Sequence, residues 1–132
     1  MATRSRIGIK LKDGSILSVY HHWNGYPEWL GRILKTHFNT EEKVQELIDG
    51  GDMSLCWTNE RWNTDIKAEE YCPQYYSQRG EDCPPRLDPS LSMYLEYGEE
   101  YDYVFTHNEW VCYDLHDENP KMVEIPNTPL AV

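Results

Sequence analysis

A chain of 132 residues with 13% aromatics is sized for one domain around one core, and it is too aromatic for a disordered polymer. A net charge of −11 argues against general affinity for a nucleic-acid backbone, and no run approaches the roughly 20 apolar residues of a membrane span. The four cysteines (Cys56, Cys72, Cys83, Cys112) lack the spacing of a zinc knuckle or redox motif and no secretory leader is visible, so free thiols in a reducing cytoplasm are expected.

The charge is unevenly spread. Residues 1–40 carry six basic residues (Arg4, Arg6, Lys10, Lys12, Arg32, Lys35) against Asp13 and Glu28, a net of +4; residues 41–132 carry six against 21 acids, a net of −15. Such a chain has room for one anion held by a few local arginines, or for a basic protein partner on its acidic part.

Ile7, Ile9 and Leu11 alternate with Gly8, Lys10 and Lys12, the period of a half-buried strand. Asp13-Gly14 supplies a hairpin turn, and Ile16–Tyr20 reads as the returning strand. The stretch Tyr20-His21-His22-Trp23-Asn24-Gly25-Tyr26-Pro27 follows, with three aromatics and two imidazoles in a connection that ends in a helix-opening proline. Trp29, Leu30, Ile33, Leu34 and Phe38 then share one helical face, while Arg32 and Lys35 face outward. Asn39 or Thr40 caps a second helix, whose stripe is Val44, Leu47 and Ile48 and whose end is Gly50-Gly51.

Met53–Trp57 reads as a short strand, after which periodicity is lost as far as Ser92. Trp62, Tyr71, Tyr75, Tyr76, Arg79 and Arg86 within that stretch predict an ordered excursion packed on the body, with a short helix at Leu91–Tyr97. Tyr101–Thr106 and Glu109–Leu115 form a second hairpin turning at His107-Asn108, and Met122–Ile125 adds a strand before a loose tail containing Pro129. The expected fold is α+β: an antiparallel sheet from two hairpins, with two helices on one face and a long irregular middle segment. In one domain, residues 1–55 supply the hairpin and helices, 56–100 the excursion, 101–125 the second hairpin and terminal strand, and 126–132 the tail.

Thr3-Arg4-Ser5-Arg6-Ile7-Gly8, the Tyr20–Pro27 stretch and Gly51-Asp52-Met53-Ser54-Leu55 together resemble a family of small proteins common in bacteriophage genomes, which open this way and carry a His-Trp-Asp-Gly-Tyr loop. The resemblance covers roughly residues 3–55. It implies a phage protein in the host cytoplasm that acts on host defence or host machinery by binding. That family commonly has cysteine where His21 stands and aspartate where Asn24 stands. A catalytic Cys-His-Asp set would therefore be missing two of its three members here, which favours binding over chemistry.

Adjacent His21 and His22 point to opposite sides of an extended segment, so they do not form a facing pair of metal ligands. No metal, cofactor or catalytic residue is expected. Arg4, Arg6, His22, Trp23, Asn24, Tyr26 and Arg32 are the expected ligand-binding set, able to surround a small anionic, stackable molecule such as a nucleotide; Tyr75, Tyr76 and Arg79 would form a second wall. In the plainer alternative, Trp23 and Tyr26 belong to the core and the arginines pair with surface acids. Two other functions stay open. One is an acidic inhibitor of a host protein, acting as a nucleic-acid mimic; the other is a small hydrolase or nuclease using His22 with a carboxylate or thiol. A homo-oligomer with its pocket between subunits is compatible with the leading reading.

Overall fold

The structure, a computed structural model, describes residues 2–60 and 69–128; Trp62 and Pro129 lie outside the described residues. β1 (Ser5–Lys10) and β2 (Ile16–His21) pair antiparallel along their whole length. They are joined by a five-residue turn in which Gly14 takes φ +90°. Leu11 N donates to Ser15 O at 2.8 Å and Ser15 N to Asp13 Oδ1 at 3.0 Å, so the turn pairs its own polar groups.

β3 (Met53–Thr58), β4 (Cys72–Tyr75), β5 (Arg86–Asp88), β6 (Tyr101–Thr106), β7 (Glu109–Asp114) and β8 (Lys121–Val123) complete the sheet. Its order is β4-β3-β2-β1-β6-β7-β8, with β5 also paired to β2. The fold is thus α+β and mostly antiparallel, as expected, with two parallel pairs inside the sheet. β1 runs parallel to β6, and β2 parallel to β3. In each case the intervening chain crosses over before the next strand is laid down, and such crossovers deliver parallel neighbours. Within the middle segment β4 and β5 are strands that the sequence does not announce, while the expected short helix is present at Leu91–Glu96. Pro73 sits in β4, an outermost strand, where a missing N–H costs no ladder bond.

The chain beyond Tyr26 does not start as a plain α-helix. Tyr26 O accepts from both Trp29 N (3.1 Å) and Leu30 N (2.9 Å), and Pro27–Gly31 forms a wide π turn before α1 (Arg32–His37). α2 (Glu41–Asp49) is capped by Thr40, whose hydroxyl accepts from Lys43 N at 3.2 Å, with Glu41 and Glu42 suiting its first turn. Both helices lie on one face of the sheet, where Ile33, Leu34, Val44, Leu47 and Ile48 pack on Ile7, Ile9, Val19, Tyr103, Phe105 and Cys112.

Strand alternation sends the intervening residues to the opposite face. That second face is covered by α3 (Leu91–Glu96), capped by Ser90, whose Tyr94 packs on Ile16 and Val104. Among the described residues no helix is long and apolar enough to cross a membrane.

Candidate functional site

Where β2 ends, alternation separates the two histidines. His21 turns inward and is fully buried. Its Nε2 accepts from Cys56 N at 2.9 Å, so in the neutral ring Nδ1 carries the proton and donates to Ser5 Oγ at 3.2 Å. Burial, then the neighbouring His22, lower its pKa to about 3. His21 is a structural imidazole.

His22 faces the other way. Its Nδ1 lies 2.7 Å from the Tyr20 hydroxyl, and its ring meets that of Trp23 edge-on at 4.6 Å. Trp23 is 45% exposed. Tyr20, His22 and Trp23 therefore make a continuous, partly open run of rings.

The backbone beneath this run is fixed on both sides. His22 N donates to Met53 O at 3.2 Å and Trp23 N to Ser54 O at 2.9 Å; Gly25 N donates to Thr3 O at 2.8 Å. Asn24 takes φ +55° at the exposed tip, and a side chain at Gly25 would meet Ser5 and Thr3. Beneath the loop the Tyr103 hydroxyl donates to Gly25 O at 2.8 Å across 78 residues of sequence. Tyr103→Phe leaves that carbonyl without its buried donor, and an unfolding titration is expected to show a loss of roughly 1–3 kcal/mol.

The sheet register carries the site inward from the rings. Arg6 stands opposite Tyr20 on one side and Asp102 on the other, so Tyr20, Arg6 and Asp102 form a row across three strands on the second face. Arg4, two residues before Arg6, has its N–H on Glu100 Oε2 at 2.8 Å; burial raises the Tyr20 pKa, and the nearby Arg4 charge offsets part of that rise. On the other flank, Asp52 joins the rings to the excursion: its Oδ1 accepts from Tyr20 N at 2.8 Å and its carbonyl from Tyr76 N at 3.2 Å. Arg79 lies over the Tyr76 ring at 5.0 Å and also contacts Glu81.

Arg4, Arg6, His22 and Trp23 thus gather on one side, with Tyr76 and Arg79 beside them. The other expected residues do not join this group. Arg32 belongs to α1, on the layer across the sheet from Arg6, and its Nε is buried without a partner among the described residues. Tyr26 is half-buried at the helix entry. Tyr75 is a packing residue, its hydroxyl donating to Leu47 O at 2.7 Å and its ring leaving no room for a side chain at Gly50.

Four residues of the neighbourhood escaped the sequence reading: Tyr20 as a site ring, and Arg86, Asp102 and Tyr94 on the second face. An aspartate in the middle of the aromatic strand Tyr101–Thr106 was the one available signal.

The site offers little for bond-breaking chemistry. The one partner of the His22 ring nitrogens among the described residues is the Tyr20 hydroxyl. All four cysteines are free thiols; burial raises the pKa of Cys56 and pushes that of Cys112 up to about 12, which disfavours thiolate in both. Among the described residues no group of three or more His, Cys, Asp or Glu is placed to hold a metal ion. No protein-family model matches the chain, and no curated protein or solved structure matches it either, so function has to be argued from these residues themselves.

Proposed function

We propose that the protein is a non-enzymatic binding protein that holds a flat, anionic, nucleotide-like ligand against the second face of its sheet. In the phage setting that the N-terminal resemblance implies, it would act in the host cytoplasm by sequestering a nucleotide immune signal. The carrying observation is the ring run Tyr20–His22–Trp23, mounted on a backbone bonded to both β3 and the N-terminal segment and flanked by Arg4 and Arg6. A pre-fixed ring surface loses little entropy on binding, and base stacking contributes about 1–3 kcal/mol per base.

Calorimetric titration with cyclic di- and trinucleotides and cyclic ADP-ribose isomers tests this. At least one member of the panel is expected to bind. Trp23→Ala should weaken it roughly 10- to 100-fold with little change in Tm, because the indole lies at the surface, 45% exposed. A flat response across the panel removes the reading.

A second reading, an acidic inhibitor of a host protein, is favoured by Glu99, Glu100, Asp117 and Glu118, which gather around Leu115 at one end of the sheet. A captured host partner whose binding collapses between low and high salt, with no nucleotide bound, would select it.

A further inference from the structure

We propose that Arg6 and Arg86 form a two-arginine clamp for a phosphate group on the second face of the sheet. The clamp rests on the reading above and names the part of the ligand that carries its charge.

Arg6 sits on a central strand and is only 8% exposed. Its hydrogen bonds among the described residues go to Ser18 alone: Nε to the hydroxyl at 3.0 Å and Nη2 to the carbonyl at 3.3 Å. Both partners are neutral, whereas a buried cation normally requires a counter-charge. The obvious counter-ion, Asp102 across the strand pair, attracts Arg6 but makes no ion pair with it among the described residues. Its Oδ1 accepts from Glu99 N at 3.1 Å, and its Oδ2 is buried with no partner among the described residues, on a residue 0% exposed.

β5 brings the second arginine to the same place. The β2–β5 register sets Arg86 opposite Ser18, the residue that Arg6 grips. Arg86 Nε donates to Asp88 Oδ2 at 2.9 Å and Nη1 to Tyr97 O at 3.2 Å, while Nη2 is buried with no partner among the described residues. Arg6, bonded to Ser18, and Arg86, opposite Ser18 in the register, therefore lie close enough for their charges to act on each other, and the one carboxylate hydrogen-bonded to either guanidinium among the described residues is Asp88, on Arg86. Burial and then the Arg86 charge lower the Arg6 pKa, outweighing the attraction of Tyr94, Asp52 and Asp102, so the two cations repel each other here.

A tetrahedral oxyanion suits this arrangement, since guanidinium forks bind phosphate oxygens two at a time. Burial raises Asp102 to about 7; in its neutral form its carboxyl can donate to such an anion. The Arg86 side chain is 35% exposed, which gives the anion a way in. Tyr20, paired with Arg6, begins the ring run, so a phosphate held here would direct the rest of a nucleotide towards His22 and Trp23.

The test is thermal unfolding of the full chain with inorganic phosphate at constant ionic strength, beside adenosine 5′-monophosphate and adenosine. Phosphate is expected to raise Tm, the nucleotide to raise it at lower concentration, and Arg86→Gln to weaken the phosphate response at least tenfold. Trp23→Ala should keep the response to phosphate and lose the advantage of the nucleotide. Equal phosphate responses in wild type and Arg86→Gln overturn the clamp, as does no response in wild type. If phosphate binds through Arg86 and neither the nucleotide nor the cyclic panel binds better, the clamp stands and the nucleotide reading falls. Should Arg86→Gln fail to fold, Arg86→Lys keeps the charge without the fork; at least tenfold weaker binding is then expected, and unchanged affinity overturns the clamp.

Discussion

Gly51→Ala is expected to lower Tm by roughly 10 °C or more, well beyond the same substitution at Gly14 or Gly80. The three glycines have nearly equal positive φ, +90° at Gly14, +86° at Gly51 and +88° at Gly80, so alanine meets the same backbone penalty of about 1–2 kcal/mol at each. A side chain at Gly14 or Gly80 would point into open space. At Gly51 it would run into the carbonyl oxygen of Cys83, which cannot rotate away as a side chain could. Overpacking adds about 1–3 kcal/mol.

The consequence reaches the site, because Cys83 O is also the acceptor for Asp52 N at 2.9 Å, and Asp52 holds both Tyr20 and Tyr76. Displacing Cys83 should therefore loosen the Tyr76–Arg79 flank and weaken ligand binding along with stability. Thermal melts of the three variants side by side decide the matter. Three equal decreases would show that the excursion is not seated on Gly51.

That glycine also shows where sequence reading succeeds and where it stops. Gly50-Gly51 was legible as the end of α2, because a helix C-terminus is a local event with a local signature. The pair's second duty, receiving Tyr75 on Gly50 and Cys83 on Gly51, depends on chain 25 and 32 residues further on and leaves no local trace. Local periodicity likewise marked β1, β2, α2 and the aromatic loop, whereas both parallel pairings join strands that no sequence period connects.

Arg6 is the sharpest case. Alternation with Ile7 assigns it to the face away from the α1–α2 core, which is correct, and the usual inference from that is solvent. The side chain is nevertheless buried, because α3 packs over this face and β5 adds to the sheet at β2, both from 80 or more residues away. Arg32 errs in the opposite sense: it was placed beside Arg6 by proximity in sequence, yet the sheet lies between them.

Two buried ionisable groups on opposite faces should oppose each other in the wild type's dependence of stability on pH, and either single variant should uncover the other group's slope. His21 falls from 6.5 to about 3 on folding, so between these values the unfolded chain binds more protons, and stability contributed by the neutral ring is present above pH 6.5 and lost as pH falls towards 3. Asp102 rises from 3.8 to about 7, chiefly through burial, so the native state binds more protons in that interval; its contribution is fully present below pH 3.8 and lost as pH rises through 7.

From pH 3.8 to 6.5 the two slopes oppose each other, each about 1.4 kcal/mol per pH unit at its steepest. Asp102→Asn removes the falling contribution, and urea unfolding is expected to show stability rising by about 3–4 kcal/mol across that interval. His21→Gln keeps an acceptor for Cys56 N but cannot titrate, and its stability should instead fall by a similar amount as pH rises to 7. A flat profile in both variants would mean that neither group is buried in the folded protein as described. A slope in only one would identify which of the two layers, the one holding His21 or the one covering Asp102, is closed in solution. A closed layer over Asp102 is also what keeps Arg6 from solvent, so the His21→Gln profile, whose slope comes from Asp102, bears directly on whether an anion entering beside Arg86 meets a desolvated charge.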